Sequence, residues 1–218
     1  MLRIVLVRPR NPENLGAIAR VMKNLGLDDW AIAEIGTHDF AAARRVAVHA
    51  QELLDRPRLV RTLDEAIADC AWVVGTSSRR ARGKRLLSPA EVAREALERA
   101  PGRTALVFGD ERSGLTAAEL QRCHDLSSIP TAPAQPSMNL AQAVVVYAWE
   151  LRRAALATDA ELQRVEEALR DALRTARFLA GPERHAVRDL VQTLRRGQLS
   201  KREARLWLAA MKKLGRGR

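Results

Sequence analysis

Several things are scarce or missing in these 218 residues, and each absence removes a class of explanation. There are two cysteines, Cys70 and Cys123, with no CxxC spacing and no neighbouring ligand pair. They read as idle thiols in a reducing compartment, not as a disulfide framework or a metal site. The four histidines, His38, His49, His124 and His185, are scattered without an HExxH or comparable cluster, so no metal is expected. No apolar run approaches the roughly 20 residues that cross a bilayer. The opening MLRIVLVRPRNPENLG passes straight from a short apolar run into a turn, the pattern of a first strand and not of a signal peptide. A cytoplasmic protein without a membrane partner is the expectation.

Two nucleotide-binding signatures are missing as well. Gly109 to Gly114 has the GxxxxG spacing of a P-loop, but Leu115 stands where the phosphate-binding lysine belongs, which excludes an ATPase of that kind. No GxGxxG follows the first apolar run, which excludes the dinucleotide fingerprint.

What is abundant is positive charge, and it is segregated. The formal charge is +11. Residues 195–218 hold nine Lys or Arg against one acid, Glu203, while Arg79, Arg80, Arg82, Lys84 and Arg85 add five with no acid. Together the two segments carry +13, so the remainder is slightly acidic. A polyanion such as RNA explains this separation better than mere solubility does. Lipid is a poorer partner, because the basic tail has no broad Trp/Phe/Leu insertion face.

At 47% hydrophobic the chain has ample material for a core, and its length suits one α/β domain with a smaller appendage. Leu2 to Val7 reads as a strand buried on both faces. The prolines and asparagines of Arg8 to Asn14 forbid strand and helix alike, and a helix is expected from about Leu15 to Leu25 with Gly26 as its stop. Trp30–Ile35, Leu59–Val60, Trp72–Gly75 and Thr104–Phe108 read as strands. Asp39–Leu54, Asp64–Cys70, Ser88 to about Arg99 and Asn139–Ala157 read as helices. This alternation argues a mostly parallel sheet covered on both faces. From Thr158 the pattern is helical only. Capping boxes open at Thr158-Glu161 and Ser200-Glu203, Gly181-Pro182 breaks the chain, and inward stripes are expected at Leu162, Val165, Leu169, Leu173, then Val187, Leu190, Val191, Leu194, then Leu206 and Leu214. The expected domains are therefore residues 1–157 and a basic helical extension, 158–218, that binds RNA or supports a dimer.

Loops that leave the carboxyl ends of strands carry ligands in open α/β sheets. The stretch Leu106 to Gln142 offers two such loops, one after Val107-Phe108 and one at Ser128-Ile129-Pro130, as two walls of one pocket. Gly75, Gly109 and Gly114 permit close approach, and Pro130 and Pro133 to Pro136 stiffen the chain. Exposed backbone between apolar walls suits an adenosine. The same residues would serve equally well in ordinary α/β turns.

Three segments carry a more specific signal. Asn11-Pro12-Glu13-Asn14-Leu15-Gly16-Ala17-Ile18-Ala19-Arg20, Leu106 to Thr116, and Ile129-Pro130 through Pro136-Ser137-Met138-Asn139-Leu140-Ala141 resemble, in order, the three signature motifs of the SPOUT superfamily of RNA methyltransferases, in its ribose 2'-O-methylating branch. Their order and spacing cover residues 2 to 157. The resemblance implies a deep trefoil knot in the C-terminal part of the sheet and S-adenosyl-L-methionine as methyl donor, leaving as S-adenosyl-L-homocysteine. It also implies a homodimer whose active site draws on both subunits. It carries Thr76, Ser77, Ser78, Gly109, Ile129, Pro136, Ser137 and Met138 onto cofactor-lining positions, and Asn14, Arg20, Glu111, Ser137 and Asn139 onto the reacting centre. Ser137 also has a plain reading as a helix N-cap. Glu13 stands where many relatives have Gly, and Asp110 and Arg112 stand where many have Asn and Gly.

The implied reaction moves a sulfonium methyl group in line to a ribose 2'-hydroxyl, so the protein chiefly aligns the oxygen and eases loss of its proton. No histidine lies in the three motifs. Arg20 keeps its own proton and is assigned to a phosphate and to the developing alkoxide, with the proton acceptor left open. Arg79, Arg80, Arg82, Lys84 and Arg112 are the expected RNA contacts. The substrate implied is tRNA, at cytidine or uridine in the first nucleotide of the anticodon loop. The alternatives are rRNA, the tRNA wobble position, or an RNA-binding protein of this fold without catalysis.

Overall fold

Perfect two-residue alternation in the central strands decides the architecture. The computed structural model describes residues 2–37, 39–79, 81–176 and 184–215, and the chain divides into two units, residues 1–152 and 153–218. In the first unit seven strands form one parallel sheet: β1 Leu2–Val7, β2 Trp30–Ala33, β3 Arg58–Val60, β4 Trp72–Thr76, β5 Leu86–Leu87, β6 Thr104–Phe108 and β7 Asp125–Ser127, in the order β3-β2-β1-β6-β4-β7-β5. Ile4, Leu6, Leu106, Phe108 and Val74 point to one face, where α1 Pro12–Leu25, α2 Phe40–Val46, α4 Pro89–Glu98 and α6 Leu140–Ala155 cover them. Val5, Val7, Val107 and Val73 point to the other, under α3 Leu63–Ile67 and α5 Ala117–Arg122. Ile18 and Met22 of α1 are fully buried, and truncating either to alanine costs on the order of 2–5 kcal/mol.

The sequence expectations hold for the alternation and miss at several boundaries. Helix α1 starts at Pro12, not Leu15, because a proline at the first helical position gives up an N–H that has no partner there anyway. Asn11 caps it by accepting from Glu13 N at 2.8 Å, and Gly26 ends it at φ 75°. The expected helix Asp39–Leu54 is two pieces, α2 and a 3₁₀ turn at Gln51–Asp55, since His49 at φ 59° cannot continue a right-handed helix. β2 stops at Ala33 because Glu34 takes φ 53°. β5, two residues long, has no period to read in the sequence.

The second unit holds α7 Asp159–Thr175, α8 Arg184–Arg196 and α9 Lys201–Gly215. Both capping boxes form, Thr158 with Glu161 and Ser200 with Glu203. Val165, Leu169, Ala172, Val191 and Met211 make its core. Leu206 and Leu214, expected inward on α9, are 60% and 63% exposed, and Leu190 of α8 is exposed too. The buried residues of α9 are instead Ala204 and Met211, and Gly215 lies against the backbone of Ala172 in α7, where the absence of a side chain lets the helices approach closely. Gly181-Pro182 and the side chain of Val187 lie outside the described residues.

Candidate active site

All strands run the same way, so β1, β6, β4 and β7 end on one edge of the sheet, and their loops meet there. The first to consider follows β6. A Cβ on Gly109 would lie 2.2 Å from Gly114 C and 2.3 Å from Leu115 N, so only glycine lets the loop fold back on itself. Gly114 N closes the turn onto Asp110 O at 2.8 Å. The buried Asp110 side chain holds it from inside: Oδ1 accepts from Arg112 N at 2.8 Å, Ser113 N at 3.1 Å and Ser113 Oγ at 3.3 Å, and Oδ2 accepts from Arg10 Nε at 2.5 Å. Burial by itself would raise this carboxyl. The Arg10 guanidinium and the two backbone N–H groups outweigh it and bring the carboxyl down to about 2.

This fold of the loop turns Glu111 towards the first motif. Its carboxylate accepts from Arg10 N at 3.0 Å, Asn11 N at 3.1 Å and Asn14 Nδ2 at 3.1 Å. Asn14 Oδ1 in turn accepts from Asn139 Nδ2 at 3.0 Å, and Asn139 Oδ1 caps α6 by accepting from Ala141 N and Gln142 N. Glu111, Asn14 and Asn139 thus form one chain of hydrogen bonds through all three motifs. The N-cap expected at Ser137 is Asn139, because Asn139 immediately precedes the helix and its short amide reaches both N–H groups.

Beside this network lies a cleft of about 280 Å³. Of the expected cofactor positions, Thr76, Ser77, Ser78, Ile129, Pro136, Ser137 and Met138 line it, as do Glu111, Arg79 and Arg112. Gly109 does not: its role is the tight turn behind the wall. Ser128, of the loop expected as one wall, lines it too; Leu115, Ser127, Thr131, Ala143 and Tyr147 also line the cleft and were not singled out as ligand-binding in the sequence. Leu115 stood out there only as a missing lysine, and Tyr147 only as one apolar residue of a helical stripe. Tyr147 OH donates to Ser127 Oγ at 2.8 Å, and burial raises its phenol to about 12. A Cβ at Gly114 would meet nothing within 4 Å, so bare backbone lines the cleft together with the apolar Ile129, Pro136 and Met138. Bare backbone, hydroxyls and apolar walls together match a flat ring with a polar edge and an attached sugar.

The remaining expected residues are placed as follows. Arg20 is exposed on α1, has no partner among the described residues and does not line the cleft of its own chain. Arg79 NH2 donates to Ser113 O at 3.3 Å and so bridges two walls of the cleft. Arg82 is exposed on the loop after β4, and Arg80 lies outside the described residues. Lys84 Nζ donates to Cys123 O at 2.5 Å and Gln121 O at 3.3 Å, at the carboxyl end of α5, while Arg85 is paired with Asp125 and Glu95. Three of the five basic residues of that loop, Arg79, Lys84 and Arg85, are therefore engaged with the protein. Cys123 is buried beside Gly75, and desolvation raises its thiol to about 12, which keeps it unreactive. Among the described residues no helix is long and apolar enough to cross a membrane.

Comparison with known proteins bears on the same region. Residues 1–149 match the family described as the SpoU rRNA Methylase family. A tRNA (cytidine/uridine/adenosine-2'-O-)-methyltransferase, TrmJ of Pseudomonas aeruginosa (strain UCBPP-PA14), is 44% identical over 171 residues, 76% of this chain and 66% of that protein, so the match spans just under two thirds of the relative's length. The crystal structure of TrmJ from Z. mobilis ZM4 is similar with a TM-score of 0.67 and 29% identity, over 99% of both chains. A structure described as giving insight into the 2-OH methylation of C/U34 on tRNA is similar with a TM-score of 0.56 and 27% identity, over 71% of this chain and 95% of that one.

Proposed function

The chain belongs to the SpoU rRNA methylase family, and on that footing we propose that it methylates the ribose 2'-hydroxyl of a tRNA nucleotide with S-adenosylmethionine as donor. The observation that carries this reading is the hydrogen-bonded line Glu111–Asn14–Asn139 set directly beside a cleft of mixed hydroxyl, backbone and apolar lining. The residues present fit the donor. Ile129, Pro136 and Met138 supply walls for the adenine, the bare Gly114 backbone faces the same space, and Ser77, Ser78 and Ser137 supply hydroxyls. When bound, the donor supplies a methyl group already activated by the sulfonium. The chain's own task is alignment, which is where enzymes gain most when no covalent step by the protein is needed. Three donors fix the Glu111 carboxylate, and the Asn139 cap fixes the start of α6, so the cleft is rigid on that side.

The same proposal includes a homodimer with Arg20 supplied to the partner's cleft. Two observations support it. Arg20 is exposed and does not line its own cleft, and Val145 and Trp149, one turn apart on α6, are 41% and 55% exposed. A trefoil knot in the C-terminal part of the sheet belongs to the reading as well, supported by the strand order β6-β4-β7-β5, in which the chain returns twice past β4. The protein would act in the cytoplasm, where its tRNA substrate is, and without a metal.

For the target we favour cytidine or uridine at the first nucleotide of the anticodon loop. The wobble position is the second reading. The C/U34 structure aligns with 71% of this chain, whereas the Z. mobilis TrmJ aligns with 99% of it, helical unit included, and that favours the first. Methyl transfer from labelled donor to total tRNA, with mass mapping of the product, tests the whole proposal. A labelled nucleoside in the anticodon loop is expected, and adenosine should be scored beside cytidine and uridine. No labelled tRNA would sink the enzymatic reading and leave the RNA-binding one.

A further inference from the structure

Two arginines in the loop after β1 are used in opposite ways. Arg8 spends its whole fork on the protein: NH1 and NH2 hold the two carboxylate oxygens of Glu119, and NH1 also reaches Glu34. Its side chain is 22% exposed, as expected of a structural ion pair. Arg10, two residues on, commits Nε alone, to Asp110 Oδ2 at 2.5 Å. The side chain of Asp110 is 1% exposed while that of Arg10 is 57% exposed, and the two η nitrogens of Arg10 have no partner among the described residues. The backbone N–H of the same Arg10 donates to Glu111, which lines the cleft.

We propose that Arg10 is a phosphate-binding residue of the RNA site, set in place by Asp110. The inference rests on the RNA-modifying reading above and adds a contact to it. A guanidinium fixed through Nε presents its two terminal nitrogens as a planar fork, the shape that takes two oxygens of one phosphate. A buried carboxylate is what holds it: Asp110 is already saturated at Oδ1 by three donors, so Oδ2 is aimed at Arg10 alone. The carboxylate of Asp110 gives that grip its charge. A latch between two loops would bury both partners and use the fork, as Arg8 does. Arg10 leaves the fork in solvent while its backbone N–H holds Glu111, a residue of the cleft. Arg79 and Arg112 line the cleft that Glu111 also lines, and Arg10 holds Glu111 through its backbone N–H, so Arg10 adds a third cation next to that cleft.

The test measures binding of an unmodified tRNA transcript by fluorescence anisotropy across a salt series, for the wild type, Arg10→Gln, Arg10→Lys and Asp110→Asn. Losing one phosphate contact lowers the slope of log affinity against log salt by about 0.9 on duplex and about 0.7 on single-stranded RNA. Arg10→Gln should show that loss, with affinity down several-fold, while S-adenosylhomocysteine binding by calorimetry stays unchanged. Arg10→Lys should recover the slope, because it keeps the charge. Asp110→Asn should weaken binding less than Arg10→Gln at an unchanged slope. A second measurement does not depend on any variant folding: arginine-directed labelling of the wild type, read by peptide mass, should find Arg10 protected by tRNA and the exposed Arg94 not. An unchanged slope in Arg10→Gln, or equal labelling of Arg10 with and without tRNA, overturns the assignment. A wild type that binds tRNA and does not methylate it would count against the enzymatic reading alone.

Discussion

Asn139 Nδ2 donates to Asn14 Oδ1 at 3.0 Å across 125 positions of sequence, and this bond ties the start of α6 to the start of α1. Asn14 is buried, so its amide cannot exchange this partner for water without cost. The pair sits between a carboxylate, Glu111, and a helix N-terminus, and it transmits the position of one to the other. The cleft wall is thereby fixed by bonds and not only by packing.

Asn14→Ala and Asn139→Ala should each lower stability by about 1–2 kcal/mol, from the unpaired neighbour and, for Asn139, the lost cap. Because they share one bond, the double variant should be less destabilised than the sum, by roughly 1 kcal/mol. Urea unfolding of the four proteins measures this, and strict additivity would mean that the two side chains do not act together.

Arg20→Ala should lose methyl transfer while keeping its melting temperature and its binding of S-adenosylhomocysteine. If Arg20 serves the partner's cleft, mixing Arg20→Ala with Asn139→Ala and refolding the two together should give activity above either parent, since one cleft of the mixed dimer is then intact. Wild-type turnover by Arg20→Ala alone would remove it from the mechanism.

Asp110 sets an acid limit on stability. Its carboxyl is held at about 2 against an ordinary 3.8, so its contribution is complete above 3.8 and is lost as the pH falls through 2. The size is on the order of 2 kcal/mol, since each unit of difference is worth about 1.4 kcal/mol. Unfolding free energies measured between pH 5 and pH 2 should therefore fall less steeply in Asp110→Asn than in the wild type. Parallel curves would show that the Arg10 pairing does not bias this group.

The basic loop after β4 separates by use. Arg82 is exposed, and Arg82→Ala should weaken tRNA binding with a smaller salt slope and little change in stability. Lys84→Met should do the reverse, costing about 1–2 kcal/mol through the carbonyls of Cys123 and Gln121 that it leaves without their charged donor. Equal effects of both substitutions on RNA affinity would contradict this division.

Gly109→Ala should disrupt the loop outright, because the added carbon would sit on the backbone of Gly114 and Leu115. Loss of S-adenosylhomocysteine binding in calorimetry, with a lowered melting temperature, is the expected result. A stable Gly109→Ala protein with normal binding would show that the turn has room to open.

Much of this was written locally. Alternating apolar residues in Leu2–Val7 and Thr104–Phe108, the Gly26 stop and the capping boxes at Ser88, Thr158 and Ser200 each report on neighbours within four residues, so the sequence alone determined the alternation of the longer strands and helices, while the short β5, α5 and β7 escaped it. It also placed Glu111, Asn14 and Asn139 in one site through their motifs. What lies 97 to 125 positions apart was decided by the register of the parallel sheet. Only that register shows that Arg8 is consumed by Glu119 while Arg10 keeps its fork, that Lys84 caps α5 instead of facing solvent, that Gly109 serves a turn and Tyr147 a cleft. An arginine has the same period and charge in either use, and the difference lies in which acid the tertiary fold brings to it.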